Sequence, residues 1–260
     1  MKLALLQMDI AWANPAENIK KAASLIESAP SADLYVLPEM WSTGFAVDPN
    51  DAYETADSQS LAWMKETAQQ RNAAICGSII IRDDAGFHNR LYFVKPDGSE
   101  VYYDKRHLFT YGGEHKRLQP GTERVVVEFR GVRFLILVCY DLRFPVFSRN
   151  NKQDYDACIY VASWPGPRIS IWQTLLRARA IENQSYVIGV NRVGSDPTCQ
   201  YNGASAVIDA YGKSVAASEE NKESITIADL DFDRQRSFRQ KFPVLDDADD
   251  FVLLPSKIER

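Results

Sequence analysis

The sequence predicts an α/β fold in which helices cover strands that are mostly buried on both faces. Short β-rich apolar runs alternate with segments of helical period along all 260 residues. In addition, no Pro/Gly/Ser-rich linker, low-complexity tract or fixed-period repeat divides the chain. We therefore expect a single domain over residues 1–260.

The first predicted strand begins almost at the N-terminus. Residues 1–10 contain an apolar stretch interrupted at Gln7 and Asp9, which is too short for the apolar region of a secretory signal peptide. Further runs bring the total to at least nine, a large number of strands for one sheet. The nine runs span residues 3–8, 34–37, 74–81, 90–94, 125–129, 134–138, 158–162, 186–190 and 204–208.

Three segments between these runs have helical period. The first starts with a capping Asn14, Pro15 at the first helical position and Glu17 at the third. A second helix follows Asp57, and a third spans residues 168–184. The predicted core-facing residues are Ile19, Ala22, Ala23 and Ile26 in the first helix, Leu61, Met64 and Ala68 in the second, and Ile171, Trp172, Leu175, Leu176 and Ala178 in the third.

The charge balance excludes several classes of protein. The chain has 30 Lys+Arg against 35 Asp+Glu, a formal net charge of −5, so it lacks the basic footprint of a protein that binds nucleic acid or an anionic membrane. Its longest apolar run, residues 134–140, is far below the roughly 20 residues of a membrane-spanning helix. The 4 cysteines form neither a C-x-x-C pair nor a dense disulfide framework. We expect a cytoplasmic protein with reduced thiols.

Motifs for common cofactors and metals are missing from the sequence. There is no G-x-x-x-x-G-K-[ST], G-x-G-x-x-G, G-x-S-x-G or H-E-x-x-H motif. His88, His107 and His115 do not have metal-ligand spacing. We therefore expect no metal and no cofactor.

Reactive side chains follow three of the apolar strand segments. Glu39 follows residues 34–38, Lys105 follows residues 101–104, and Cys139 follows residues 134–138. In an open α/β sheet, ligands bind in the crevice beyond the carboxyl ends of the strands. Each residue also has a plain structural explanation: Glu39 as a cap, Lys105 as a solvated strand end, and Cys139 as a small core residue. The combination instead indicates a catalytic site.

The three groups suit nucleophilic attack on a carbonyl. A thiol with a pKa of about 8.5 needs a base or a cation to react at neutral pH. Glu39 can accept its proton, and Lys105 with the backbone N–H of Tyr140 can stabilise the oxyanion that forms. Protonated Glu39 can then donate to the leaving amine and later activate the water that hydrolyses the thioester.

The same residues resemble a known family. Residues 38–39, 103–109 and 138–145 read Pro-Glu, Tyr-Asp-Lys-Arg-His-Leu-Phe and Val-Cys-Tyr-Asp-Leu-Arg-Phe-Pro, similar to the three signature segments of the nitrilase superfamily of carbon-nitrogen hydrolases. Residues 160–165 and 178–184 match later family segments, so the resemblance covers essentially the whole chain. The strings around Lys105 and Cys139 are most similar to the ω-amidase branch, including bacterial enzymes that act on 2-oxoglutaramate.

The resemblance implies a four-layer α-β-β-α sandwich, which would accommodate the number of predicted strands, and a homodimer in which two sandwiches share a continuous face. It also implies Glu39 as general base, Lys105 as electrostatic stabiliser and Cys139 as nucleophile. Family members usually have a second glutamate in the loop after the lysine. Glu114 has the matching place, although a surface-loop acid is the alternative.

The sequence leaves two interpretations for each candidate substrate-binding residue. A small ω-amide substrate would carry a carboxylate or 2-oxo acid, which suits an arginine fork. Arg143 and Arg168 are candidates for that contact, or each is a structural ion pair. Trp164 and Phe109 are candidate pocket walls, or core residues.

Two functional alternatives accompany the ω-amidase hypothesis. One is another member of the superfamily, such as a nitrilase or an N-carbamoyl or other small-amide hydrolase. The other is a non-catalytic binding module that keeps the sandwich and has an inert Cys139. Perturbed ionisable groups are typical of catalytic sites, and the presence of all three groups therefore favours an enzyme.

Overall fold

The structure is a computed structural model that describes residues 1–48, 52–55 and 57–253. The first half of the chain builds one sheet and its covering helices. In order, it contains strand β1 (Lys2–Gln7), helix α1 (Pro15–Ser28), β2 (Leu34–Val36), α2 (Gln59–Arg71), β3 (Ala74–Asp83), β4 (Gly86–Val94) and β5 (Glu100–Asp104).

The second half builds the other sheet and returns to the first. Its elements are β6 (Val126–Phe129), β7 (Val132–Val138), the short α3 (Pro145–Ser148), β8 (Ala157–Ala162), α4 (Ile169–Glu182), β9 (Tyr186–Asn191), β10 (Val193–Ser195), β11 (Gln200–Asn202), β12 (Ala206–Ile208), β13 (Ser214–Ala217), β14 (Ser224–Asp229) and α5 (Phe232–Lys241).

Two 6-stranded sheets stack face to face between helices, which gives the predicted four-layer sandwich. One sheet has the order β14-β1-β2-β3-β4-β5 and the other β13-β12-β9-β8-β7-β6, while β10 and β11 form a separate hairpin. Strands β2, β3 and β5 run in the same direction, as do β7, β8 and β9. The carboxyl ends of β2 and β5 therefore lie at the same edge.

Side-chain alternation along β1 shows how the layers form. Leu3 and Leu5 belong to the core between the sheets, whereas Ala4 and Leu6 pack with the residues of α1 and α2. This is the period-2 pattern of a strand buried on both faces. Aromatic rings join the sheets directly, since the Phe93 and Phe134 ring centroids are 5.8 Å apart.

The predicted helices form with small shifts at their ends. The Asn14 side chain accepts a hydrogen bond from the Glu17 N–H (3.2 Å), so α1 begins as its cap predicts. Helix α2 is capped by Ser58, just after the predicted start. In α4 the prediction that Ile171 faces the core was wrong, because the buried face follows Trp172, Leu176 and Ala180 and leaves Ile171 exposed.

The last helix, α5, has no amphipathic apolar stripe in the sequence and was not predicted. Its capping Asp231 accepts a hydrogen bond from the Arg234 N–H (2.9 Å). Its buried polar residues bind the backbone just before β8 and β9: the Gln235 amide donates to the Asp156 carbonyl (2.7 Å), and Arg239 donates to the Gln184 carbonyl (2.9 Å). Tertiary hydrogen bonds rather than periodicity therefore position this helix.

In the part of the chain that the structure describes, none of the helices combines the length and apolar character needed to cross a membrane.

Candidate active site

The structure brings the three strand-end residues together at one edge of the sandwich. Glu39 lies just beyond β2, Lys105 directly follows β5, and Cys139 directly follows β7. The Lys105 Nζ is 2.8 Å from Glu39 Oε1, and both the Glu39 carboxylate and the Lys105 ammonium act electrostatically on the Cys139 thiol. Residues from both sheets therefore form one cluster.

Two sharp turns present the base and the nucleophile. Cys139 and Met40, the residue after Glu39, have left-handed backbone conformations with φ of 43° and 45°. Such strain costs about 1–3 kcal/mol in a residue other than glycine and is concentrated at functional sites. It persists because neighbouring groups fix the turns: the Met40 N–H donates to Ser78 Oγ (2.8 Å), and the Val138 N–H donates to Asp141 Oδ2 (2.9 Å).

A fully buried ammonium lies between two fully buried carboxylates. The Lys105 Nζ donates to Glu39 Oε1 and Glu114 Oε2, both at 2.8 Å. Burial alone would lower the pKa of Lys105, but the Glu114 and Glu39 carboxylates raise it above its ordinary value. Lys105 therefore stays charged.

Glu114 is a buried member of the cluster rather than a surface-loop acid. Its Oε2 accepts a second hydrogen bond from the Phe109 N–H (2.6 Å). Burial raises the pKa of Glu114 and the negative charge of Glu39 raises it further, although Lys105 acts in the opposite direction. Glu114 is therefore the second carboxylate that holds the lysine.

The Cys139 thiol is protonated in the resting site. Burial raises its pKa well above the ordinary value, the Glu39 carboxylate raises it further, and Lys105 only partly opposes both effects. A protonated thiol needs a neighbouring base before it can react as a nucleophile. Glu39 is the carboxylate that acts on this thiol and is therefore the candidate base.

A cavity of about 800 Å³ opens onto the thiol and the ammonium. The four predicted substrate-binding residues Phe109, Tyr140, Arg143 and Trp164 line its walls, together with Arg168. Tyr111, which is 89% exposed, marks the rim. The volume is in the usual range for a small-molecule site.

Both arginines face the cavity without a carboxylate partner among the described residues. The Arg143 guanidinium lies over the Trp164 ring at 5.1 Å from its centroid, and that of Arg168 lies over the Phe109 ring at 5.5 Å. A cation–π contact holds each guanidinium group in place and leaves its N–H groups available to bind a substrate. The structural ion pair that the sequence allowed for each arginine is therefore not formed with any described residue.

Sequence reasoning missed several residues that support the cluster. The Asn89 amide donates to both Glu39 Oε1 (2.8 Å) and Glu114 Oε1 (3.1 Å), and the Ser163 N–H donates to Glu39 Oε2 (2.8 Å). Asp141 accepts hydrogen bonds from the Tyr103 hydroxyl (2.9 Å) and the His107 N–H (3.1 Å), which links the lysine loop to the nucleophile turn. Asp141, two residues after Cys139, was an available signal, whereas Asn89 lies between His88 and Arg90 and has no distinctive sequence context.

The arrangement can perform acyl transfer without a metal. The Lys105 ammonium and the N–H of Tyr140, the residue after the nucleophile, are the groups for a developing oxyanion. Over the described ranges, no group of three or more His, Cys, Asp or Glu side chains is placed to hold a metal ion. Such a site is typical of a hydrolase with a cysteine nucleophile.

Comparison with known proteins identifies the family. Residues 2–240 match the family described as carbon-nitrogen hydrolase. The chain is 45% identical to the omega-amidase YafV of Escherichia coli (strain K12) over 254 residues, which cover 97% of this chain and 98% of that protein. It is 37% identical to the 2-oxoglutaramate amidase of Bacillus subtilis (strain 168), covering 94% of this chain and 96% of that one.

Solved structures have the same fold. The CN-hydrolase superfamily protein XC1258 of Xanthomonas campestris, solved with an arsenic adduct in its active site, has a TM-score of 0.93 at 41% identity and covers 97% of this chain and 98% of its own. Nit3 of Saccharomyces cerevisiae, from branch 10 of the nitrilase superfamily, has a TM-score of 0.85 at 26% identity, with 94% of each chain covered. The chain belongs to the carbon-nitrogen hydrolase family, whose members act on carbon-nitrogen bonds.

Replacing the Glu39 carboxylate with a neutral amide should change the pKa of the Cys139 thiol. In Glu39→Gln the pKa of Cys139 is expected to fall, because the negative charge that raises it is gone while the Lys105 ammonium that lowers it remains. The measurement is the pH dependence of iodoacetamide alkylation at Cys139 in a Cys199→Ser background, read by peptide mass. The matched control is Glu54→Gln, which neutralises a buried glutamate bonded to Ser42 and Ser60. An unchanged or higher alkylation midpoint in Glu39→Gln would contradict the arrangement.

Proposed function

We propose that the protein is an ω-amidase that hydrolyses the terminal amide of small 2-oxo dicarboxylate monoamides such as 2-oxoglutaramate and 2-oxosuccinamate, releasing ammonia. The observation that carries the proposal is a cavity that exposes the Cys139 thiol, the Lys105 ammonium and two guanidinium groups, neither of which pairs with a carboxylate among the described residues. The similarity to the omega-amidase of E. coli and the 2-oxoglutaramate amidase of B. subtilis supports the same substrate class.

The proposed mechanism assigns one role to each polar group. Glu39 takes the Cys139 proton as Sγ attacks the amide carbonyl, and Lys105 with the Tyr140 N–H stabilises the oxyanion. Glu39 then protonates the nitrogen, the C–N bond breaks and ammonia leaves a thioester on Cys139. Finally, Glu39 deprotonates a water that attacks the thioester, and the acid is released as the thiol takes its proton back.

The cavity suits an anionic acyl group. The net charge of −5 provides no general attraction for an anion, so local positive charge must supply it. Lys105 is already neutralised by two carboxylates, which leaves Arg143 and Arg168 as the available cations. We propose that Arg143, four residues from the nucleophile, binds the substrate carboxylate, with Arg168 beside it and with Trp164 and Phe109 as apolar walls.

Ammonia release tests the proposed activity. Wild type should release ammonia from 2-oxoglutaramate, whereas Cys139→Ala should lose at least about 10⁴-fold in kcat, because no other group can form the acyl-enzyme. Nitrile and N-carbamoyl substrates offered in parallel separate the other activities of the superfamily. The buried Cys158→Ala variant is the control for thiol removal. Equal ammonia release by wild type and Cys139→Ala would refute the mechanism, and preference for a nitrile or N-carbamoyl compound would refute the substrate assignment.

Removal of one guanidinium tests the anionic acyl site. Arg143→Met should weaken the use of 2-oxoglutaramate by roughly 10- to 100-fold in kcat/KM, since a hydrogen bond to a charged group contributes about 1.5–3 kcal/mol. Its effect on an uncharged amide of similar length, such as butyramide, should be small. Arg236→Met, at an exposed arginine of α5 that lines neither the cavity nor the groove along α4, is the control. An equal loss for charged and uncharged amides would show that Arg143 does not bind the carboxylate.

We also propose that the chain acts as one domain and forms a homodimer through the outer face of α4. Ile171 and Ile181 are exposed on this helix, which borders a groove of about 710 Å³ formed with β12 and β13. Exposed apolar side chains around a groove are typical of an interface, and a twofold axis would pair this face with itself.

The oligomeric state tests this face. Sedimentation equilibrium should give twice the chain mass for wild type and a shift towards monomer for Ile181→Glu, because the substitution places a charge in the proposed interface. Val146→Glu, at another exposed apolar residue, should remain dimeric. A monomeric wild type, or an Ile181→Glu variant that stays fully dimeric, would contradict the assignment.

A further inference from the structure

Asn89 contacts three of the four residues assigned to the catalytic cluster. It lies in β4 and is fully buried. Its backbone carbonyl accepts the Lys105 N–H (3.0 Å), which fixes the start of the lysine loop. Its side-chain amide donates to Glu39 Oε1 (2.8 Å) and to Glu114 Oε1 (3.1 Å). One side chain therefore bridges the base and the second glutamate.

The bridge matters because two carboxylates share one ammonium in a site without bulk water. Ionised carboxylates only accept hydrogen bonds, and like charges held close together disfavour each other's ionised form. A neutral amide with two N–H groups can donate one to each carboxylate without changing the net charge. No charged residue could do the same: a lysine would neutralise the base, and an acid would add a third negative charge.

The bridge also selects which oxygen of Glu39 is available for chemistry. Oε1 already accepts hydrogen bonds from both Lys105 and Asn89, whereas Oε2 accepts one from the Ser163 N–H. A carboxylate oxygen has room for about two strong donors. Oε2 is therefore the oxygen with capacity for the thiol proton, provided that the carboxylate does not rotate.

We propose that Asn89 is a positioning residue that locks the rotation of the Glu39 carboxylate by bridging it to Glu114, and so directs Oε2 to the Cys139 thiol. The inference rests on the catalytic roles given under the proposed function. It predicts that loss of the amide reduces proton transfer rather than substrate binding, because Asn89 lies behind the cluster and does not line the cavity.

The test is steady-state kinetics across pH for Asn89→Asp and Asn89→Ala. Asn89→Asp keeps the shape but loses both donors and adds a negative charge. Its kcat should fall by roughly 10²- to 10⁴-fold, the range typical of a lost general base, with KM changed by less than about threefold. The acid limb of its kcat/KM profile should move to higher pH, because the ionised carboxylates lose the donor that favours them. Asn89→Ala should show the same change to a smaller extent.

Asn150 provides the matched control. Its side-chain amide is also buried and also donates twice, to the Tyr155 carbonyl (3.0 Å) and the Asn183 carbonyl (3.2 Å), but it contacts none of the catalytic groups. Asn150→Asp should lower the thermal midpoint while leaving the acid limb unchanged. Alkylation of Cys139 against pH is the second readout, and the loss of Asn89 should shift its profile as well.

The activities of Cys139→Ala and of the Asn89 variants distinguish the role of Asn89 from the proposed function. Loss of activity in Cys139→Ala, with a normal acid limb and normal kcat per folded molecule in Asn89→Asp, would overturn the role of Asn89 and leave the proposed function standing. Full activity in Cys139→Ala would overturn the proposed function itself. If Asn89→Asp does not fold, Asn89→Ala decides the question, since it adds no charge. An unchanged acid limb and alkylation profile in that variant would also overturn the proposal.

Discussion

The site depends on one buried ammonium shared by two buried carboxylates. Removing an ion from water costs several kcal/mol, and only close opposite charges and hydrogen bonds offset that cost. Lys105 meets both conditions through Glu39 and Glu114 at 2.8 Å. Cys139 is affected by the same contacts, because burial and then the charge of the Glu39 carboxylate that holds Lys105 raise the pKa of the Cys139 thiol. The contacts that balance the charge of Lys105 therefore also influence the reactivity of Cys139.

The fold supplies these contacts by ending strands from both sheets at one edge. Lys105 follows β5 of the first sheet and Cys139 follows β7 of the second, so the catalytic cluster spans the interface between the sheets. Asp141 connects the two segments through Tyr103 and His107. These hydrogen bonds fix the strained, left-handed backbone at Cys139. The packed core between the sheets in turn holds the segments that make them.

The sequence predicted the elements with strong local signals and the residues with distinctive chemistry. Most strands, the Asn14 cap and the four-layer sandwich followed from apolar runs, capping chemistry and the family resemblance. Strands β10, β11, β13 and β14 were not predicted, because they lie outside the apolar runs. Helix α5 was missed because its buried Gln235 and Arg239 look like surface residues until their backbone partners are known. Asn89 was missed for the same reason, since its role exists only when Glu39 and Glu114 meet across it. For Arg143 and Arg168, the sequence allowed either a substrate contact or a structural ion pair. Only the side chains that surround each arginine in the structure distinguish the two.

In the proposed reaction Cys139 carries the acyl group of the ω-amide. The mass of the Cys139 peptide, measured after wild-type enzyme is mixed with 2-oxoglutaramate and quenched in acid within one turnover, tests this directly. We expect a mass increase equal to a 2-oxoglutaryl group on Cys139, formed at a rate no slower than steady-state ammonia release. Ammonia release with no adduct on Cys139, or with the acyl group on another residue, would contradict it.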